Sequence, residues 1–173
     1  MSDPIVIDAE NLVLGRMATE TASILLKKKP YITAESNSGE IEVNVADYNG
    51  IVHIVNIEKA IISGTPTQIT ARYLQRIHIK TNTNPRRGPF HPRTPENIVR
   101  RSIRGMVPHR KKTGKDAMSR LRVYCGVPEK LTNSQRIRFH QADASKFNCK
   151  RISVGELARR IGSYQTRVRR NEK

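Results

Sequence analysis

Ile51-Val52-His53-Ile54-Val55-Asn56 carries β-branched residues at four of its six positions and is bounded by Gly50 on one side and Glu58-Lys59 on the other. A run this short, apolar and branched reads as a buried strand. Toward the N-terminus, Ile5-Val6-Ile7-Asp8 is a second such run, Asn11 to Gly15 turns the chain, and a helix is predicted from Met17 to about Lys29. At about 100° per residue, Met17, Ala18, Thr21, Ala22 and Leu25 fall on one half of that helix and Glu20, Ser23 and Lys27 on the other. Strand, helix and buried strand in succession predict a βαβ unit, hence an α/β domain on a parallel sheet.

Between these elements Pro30 to Gly50 is less regular, although Glu40-Ile41-Glu42-Val43-Asn44-Val45 alternates strictly, as an edge strand or a surface hairpin does. Toward the C-terminus, Thr65-Pro66 opens a helix to about Ile79, with Ile69, Tyr73 and Ile77 on its apolar face and Arg72, Arg76 and Lys80 along its flank. The same start signal recurs at Thr94-Pro95-Glu96. There Ile98, Val99, Ile103 and Met106 point one way, while Arg100, Arg101 and Arg104 point about 165° away. Between the two helices, Thr81 to Arg93 is rich in Pro, Gly and Asn and is predicted to be an extended basic loop. His109-Arg110-Lys111-Lys112-Thr113-Gly114-Lys115 precedes a short helical turn, and Leu121-Arg122-Val123-Tyr124-Cys125 reads as a last strand. Pro128 to Asn148 is polar and expected to be mostly irregular. Ser153-x-x-Glu156 is a capping box in front of Val154, Leu157, Ile161, Tyr164 and Val168, which predicts a final helix with Arg159, Arg160, Arg167 and Arg170 off the stripe. No internal repeat and no low-complexity tract interrupts this order. The expected organisation is an α/β domain over residues 1–127 and a basic C-terminal extension over 128–173 that ends in a helix.

Of the 173 residues, 32 are Lys or Arg and 15 are Asp or Glu, a formal charge of +17. Apolar residues make up 36% and there is no Trp, so the core must be small for the length. The charge is unevenly spread. Residues 1–71 hold five bases against nine acids, net −4, and residues 72–173 hold 27 against six, net +21. The first part is expected to supply the scaffold and the second a surface for a polyanion. Cys125 and Cys149 show no paired spacing, which argues against a disulfide framework or a zinc finger, and each thiol reads as packing filler. Met1-Ser2-Asp3-Pro4 lacks the cations of a secretory leader and no apolar run reaches membrane-spanning length, so a soluble protein of a reducing compartment with no membrane partner is expected.

Catalytic signatures are missing: there is no G-x-S-x-G, G-x-G-x-x-G or P-loop pattern. His53, His78, His91, His109 and His140 form no short metal-binding pair; His53 reads as a hydrogen-bonded residue of a buried strand. A metal-dependent nuclease would need Glu96, Asp116 or Glu129 to converge. No enzyme, cofactor, metal or homo-oligomer is expected. Residues 72–122, by contrast, hold 15 Lys/Arg and two acids. Arginine outnumbers lysine there, lies in Pro/Gly loops and forms one helix face, arrangements suited to bidentate phosphate contact. With few aromatics and no RRM or KH pattern, the expectation is recognition of folded RNA by shape and backbone, with duplex DNA as the alternative.

Ile103-Arg104-Gly105-Met106-Val107-Pro108, five residues, Gly114-Lys115, five residues, then Leu121-Arg122-Val123-Tyr124-Cys125-Gly126 resembles the signature of the L-thirteen family of large-subunit ribosomal proteins. Asn82-Thr83-Asn84-Pro85 and Arg87-Gly88-Pro89-Phe90-His91, followed by Arg93 and Pro95, resemble its archaeal and eukaryotic cytosolic branch. Val6-Ile7-Asp8-Ala9, Leu14-Gly15-Arg16 and Ile61-Ile62-Ser63-Gly64 are similar to the family too. The resemblance covers residues 5–29 and 54–127, and more loosely 153–170. It implies a three-layer α/β/α domain on a short, mainly parallel sheet, without catalytic activity or cofactor, built into the large ribosomal subunit against its rRNA and beside neighbouring ribosomal proteins. It further implies a cytoplasmic location on the ribosome, with nucleolar assembly in a eukaryote. Carried over by position, the RNA-facing residues of the loop are Arg86, Arg87, His91 and Arg93, and those of the following helix are Arg100, Arg101 and Arg104. His109, Arg110, Lys111, Lys112 and Lys115 complete the carried-over set, and the charge distribution adds Arg72, Arg76 and Arg120. Residues 30–50, which the resemblance marks as an insertion, and residues 128–151 depart from the family pattern and are expected to reach lineage-specific neighbours, protein or RNA. An RNA-binding regulator acting off the ribosome would use the same surface.

Overall fold

The computed structural model describes residues 4–36, 39–46 and 48–162. In chain order the elements are β1 (Ile5–Asp8), α1 (Leu14–Leu26), β2 (Tyr31–Ser36), β3 (Gly39–Asn44), β4 (Val52–Val55), β5 (Ile61–Ser63), α2 (Pro66–His78), α3 (Pro95–Met106), α4 (Lys112–Ser119), β6 (Leu121–Val123), β7 (Arg136–Arg138), β8 (Arg151–Ser153) and α5 (Val154–Arg160). The expected βαβ unit is present: β1 runs parallel to β4, Ile5 opposite Val52 and Asp8 opposite Val55, with α1 between them in sequence. α1 starts three residues earlier than its periodicity suggested and ends where Lys27 turns left-handed at φ 53° and donates its N–H to the Ile24 carbonyl. Met17, Ala18, Thr21, Ala22 and Leu25 are all buried, as one face of an amphipathic helix should be.

The main sheet has six strands in the order β3-β2-β7-β1-β4-β6. β7, β1, β4 and β6 are mutually parallel; β2 is antiparallel to both β7 and β3. Within residues 30–50, β2 and β3 therefore pair with each other and extend the sheet, with β3 as its edge. Tyr48 locks this insertion in place, its hydroxyl accepting from the Ile5 N–H at 2.9 Å and donating to the Ile51 carbonyl at 2.8 Å.

Residues 128–151 differ most from the sequence reading. Instead of an irregular extension, they supply β7, the strand that joins the hairpin to β1, together with the fully buried Phe139. A single apolar residue, Ile137, between two arginines carries too little pattern to mark a strand. The arginines are accommodated because they bond to backbone, Arg138 to the Glu10 carbonyl at 2.8 Å and Arg136 to that of Thr132 at 3.3 Å. β5 and β8 form a separate antiparallel pair, and one arm of the capping box is made: Ser153 Oγ accepts from the Glu156 N–H at 3.1 Å, while the Glu156 carboxylate pairs with Arg160. Val154, Leu157 and Ile161 are buried; Tyr164, Arg167, Val168 and Arg170 lie outside the described residues.

The strand alternation divides the core. Ile7, Ile54, Leu121 and Ile137 join the cluster that includes α1, α3 and α5 residues, while Val6 and Val55 point to the opposite face and are covered by Leu131, Tyr124 and Val127. Both cysteines are exposed, not packing filler. His53 is also not hydrogen-bonded through Nδ1, which is buried without a partner; its ring stacks on Tyr124 with centroids 5.8 Å apart. Desolvation, aided by the Arg122 charge, lowers the His53 pKa below its ordinary 6.5.

Candidate nucleic-acid interface

α2 has no buried residue: Ile69, Tyr73, Leu74 and Ile77 are half-buried against the core, and Arg72 and Arg76 stand exposed. In the loop that follows, Asn84 Oδ1 accepts from the Arg86 N–H at 3.2 Å and sets a single 3-10 turn over Pro85–Arg87. That turn presents Arg86 and Arg87 side by side in solvent. Phe90 is 78% exposed, His91 and Pro92 are half-buried, and Arg93 is exposed again. α3 then buries Ile98, Val99 and Ile103 and exposes Arg101 and Arg104, as its periodicity predicted, but Met106, expected on the same apolar face, is exposed at the helix end. A shallow depression on this face is walled by Phe90, His91, Pro92, Arg100, Arg101 and Arg104, which brings loop and helix cations together.

The next basic cluster is positioned by a close approach. A Cβ on Gly114 would lie 2.1 Å from the Pro108 carbonyl oxygen, so only glycine lets the start of α4 rest on the 107–111 turn. The turn is closed by the Lys111 N–H donating to the Pro108 carbonyl at 3.0 Å. Arg110, Lys111, Lys112 and Lys115 are consequently exposed around the first turn of α4, with His109 half-buried beside them. That turn contains no acid. Lysines here oppose the helix dipole, an arrangement that an external anion relieves.

Two of the sequence-selected arginines are engaged in holding the fold. Arg120 reaches inward, donating to the Leu25 carbonyl at 2.7 Å and the Tyr48 carbonyl at 3.1 Å, which ties α1 to the insertion. Arg100 does not simply point away from the core: its guanidinium donates to the Met118 and Leu121 carbonyls, both at 3.3 Å. Helical periodicity gives the direction in which a side chain leaves the axis, not where a long one ends. The ion pairs Lys29–Glu20, Lys59–Glu10 and Arg160–Glu156 all lie outside residues 72–122. Two features escaped the sequence reading, the exposure of Phe90 and a cavity between α2 and α3; the signal for the first was an aromatic set among Pro, Gly and Arg.

Among the described residues, no three His, Cys, Asp or Glu side chains gather as a metal site, so Glu96, Asp116 and Glu129 do not converge on one. No helix among them is long and apolar enough to cross a membrane. What the geometry provides is a mixed α/β scaffold with guanidinium and ammonium groups raised on two adjoining loops and two helices.

A protein of this class, a small, basic α/β domain with a cationic face, matches a known family along most of its length. The family model for ribosomal protein L13 covers residues 2–130. The large ribosomal subunit protein uL13 of Sulfolobus acidocaldarius is 38% identical over 162 residues, 93% of this chain and 95% of that protein. Those of Methanosarcina barkeri (36% over 159 residues, 91% and 97%) and Methanopyrus kandleri (37% over 163 residues, 92% and 87%) are similar to it as well. The chain belongs to the ribosomal protein L13 family, whose members are structural proteins of the ribosome and not enzymes.

Proposed function

We propose that the protein is a structural constituent of the large ribosomal subunit, which binds and braces large-subunit rRNA through the surface formed by α2, the 79–94 loop, α3 and the turn leading into α4. The observation that carries this reading is the sorting of cations: Arg120 is drawn onto backbone carbonyls, whereas Arg72, Arg76, Arg86, Arg87, Arg93, Arg101 and Arg104 stand exposed, as does Arg100 although its guanidinium also bonds to two carbonyls. Arg110, Lys111, Lys112 and Lys115 continue that exposed set. Spread over rigid helices and short turns, these groups match phosphates along a folded RNA backbone and fix register without reading sequence. Family membership and the names of the archaeal relatives point to the ribosome as the site of action.

The test is salt-dependent binding of the purified protein to large-subunit rRNA with excess tRNA as competitor. Binding that survives the competitor and falls steeply with salt is the expected result. Complete competition by tRNA, or a flat salt response, would leave this reading without support.

A further inference from the structure

Between α2 and α3 lies a cavity of about 240 Å³, open to the cationic face. Tyr73 and Ile77 from α2, Ile98 from α3 and Pro92 from the loop give it apolar walls, while Arg76 and Arg101 line it from opposite helices. Gly105 also lines it. This glycine lies inside α3 without a positive φ, and a Cβ built on it meets nothing within 4 Å. No turn or close approach demands it, and glycine is among the poorest helix formers. Its effect is to leave the cavity open. Beside it, His91 Nε2 is buried without a hydrogen-bond partner.

We infer that this cavity receives one unstacked nucleobase of the bound RNA, with Arg76 and Arg101 holding the phosphates on either side of that nucleotide. The inference rests on the RNA-binding reading above and adds to it a base contact that phosphate recognition does not require. A flat ring stacked beside Tyr73 would displace water from apolar walls, and its phosphates would meet the only charges that line the site, both positive. A partner protein would need an anchor carrying negative charge on both flanks, a less natural fit than a nucleotide. Recognition of a splayed-out base between apolar and aromatic side chains is the ordinary way proteins select unpaired positions in folded RNA.

The experiment is footprinting of large-subunit rRNA bound to the full chain, with hydroxyl radicals for the backbone and base-specific reagents for the bases. Wild-type protein should protect one unpaired base within its backbone footprint. Gly105→Leu fills the cavity and should return that base to free-RNA reactivity while the backbone footprint persists. Affinity should fall about tenfold, the size of one base–aromatic stack, with the salt slope unchanged. Gly105→Ala leaves room and should keep the protection; Gly105→Gln substitutes for the leucine variant if circular dichroism shows the latter unfolded. Base protection that is unaltered by filling the cavity overturns the proposal. So does an unaltered footprint combined with failure of Gly105→Leu to enter subunits, which would assign the cavity to a protein neighbour. Absence of any wild-type backbone footprint would instead mean that the RNA-binding reading itself has failed.

Discussion

α1 and α2 have the same length, 13 residues, and opposite fates. α1 buries seven side chains beneath α3 and α4, whereas α2 buries none and lays a half-buried stripe along the margin of the core. α1 draws its stability from the fold. α2 is held more weakly and keeps its outer face charged, as a surface intended for another molecule must be. The same contrast runs through the arginines: Arg120 is drawn onto carbonyls of the scaffold, Arg101 and Arg104 stand in solvent, and Arg100 does both.

The comparison can be broken most severely by truncation. A fragment ending at Val127 loses β7, Phe139, β8 and α5, and should show neither a cooperative urea transition nor dispersed amide resonances; a stable fragment would restore 128–173 to the status of an appendage. Within α1, Leu25→Ala should cost about 3–4 kcal/mol by urea denaturation, as full burial implies, while Leu74→Ala in α2 should cost about 1 kcal/mol. Arg120→Ala should cost about 2–3 kcal/mol, because two carbonyls lose a charged donor, whereas Arg101→Ala should change stability by less than about 0.5 kcal/mol. In RNA binding the order reverses: replacing Arg101 and Arg104 together should lower the salt slope by about 2 and leave the melting temperature intact. The smallest effect concerns His53. Its folded-state pKa is depressed below the ordinary 6.5, so its contribution is present above that pH and is lost as pH falls through the lower folded value. Wild-type stability should therefore decline modestly as pH drops below 6.5, and the decline should be absent from His53→Gln.

Much of the scaffold was legible because apolar runs and helix starts leave periodic marks. The βαβ unit, α2, α3 and the Ser153 N-cap were all readable from local pattern, and so was the basic stretch from Arg72 to Arg122. β7 was not, since Arg136-Ile137-Arg138 becomes a strand only through the backbone groups that β1 and β2 offer it. Nor could the sequence separate Arg101 from Arg120, because the difference lies in which carbonyls happen to be within reach of each side chain. The cavity beside Gly105 was equally invisible, being empty space between α2, the loop that follows it and α3, which no local pattern marks.

β7 also imposes an order on synthesis. The strand that stands between β1 and β2 is the last of the six to leave the ribosome that makes it. Until residue 138 emerges, β1 and β2 each present one unpaired edge, at a stage when the hairpin and most of the parallel strands already exist. The nascent chain therefore passes through a period with two adhesive edges facing one another across a gap. Slowing elongation before Arg138 has emerged from the ribosome should raise aggregation of this protein, while a pause after it has emerged should not.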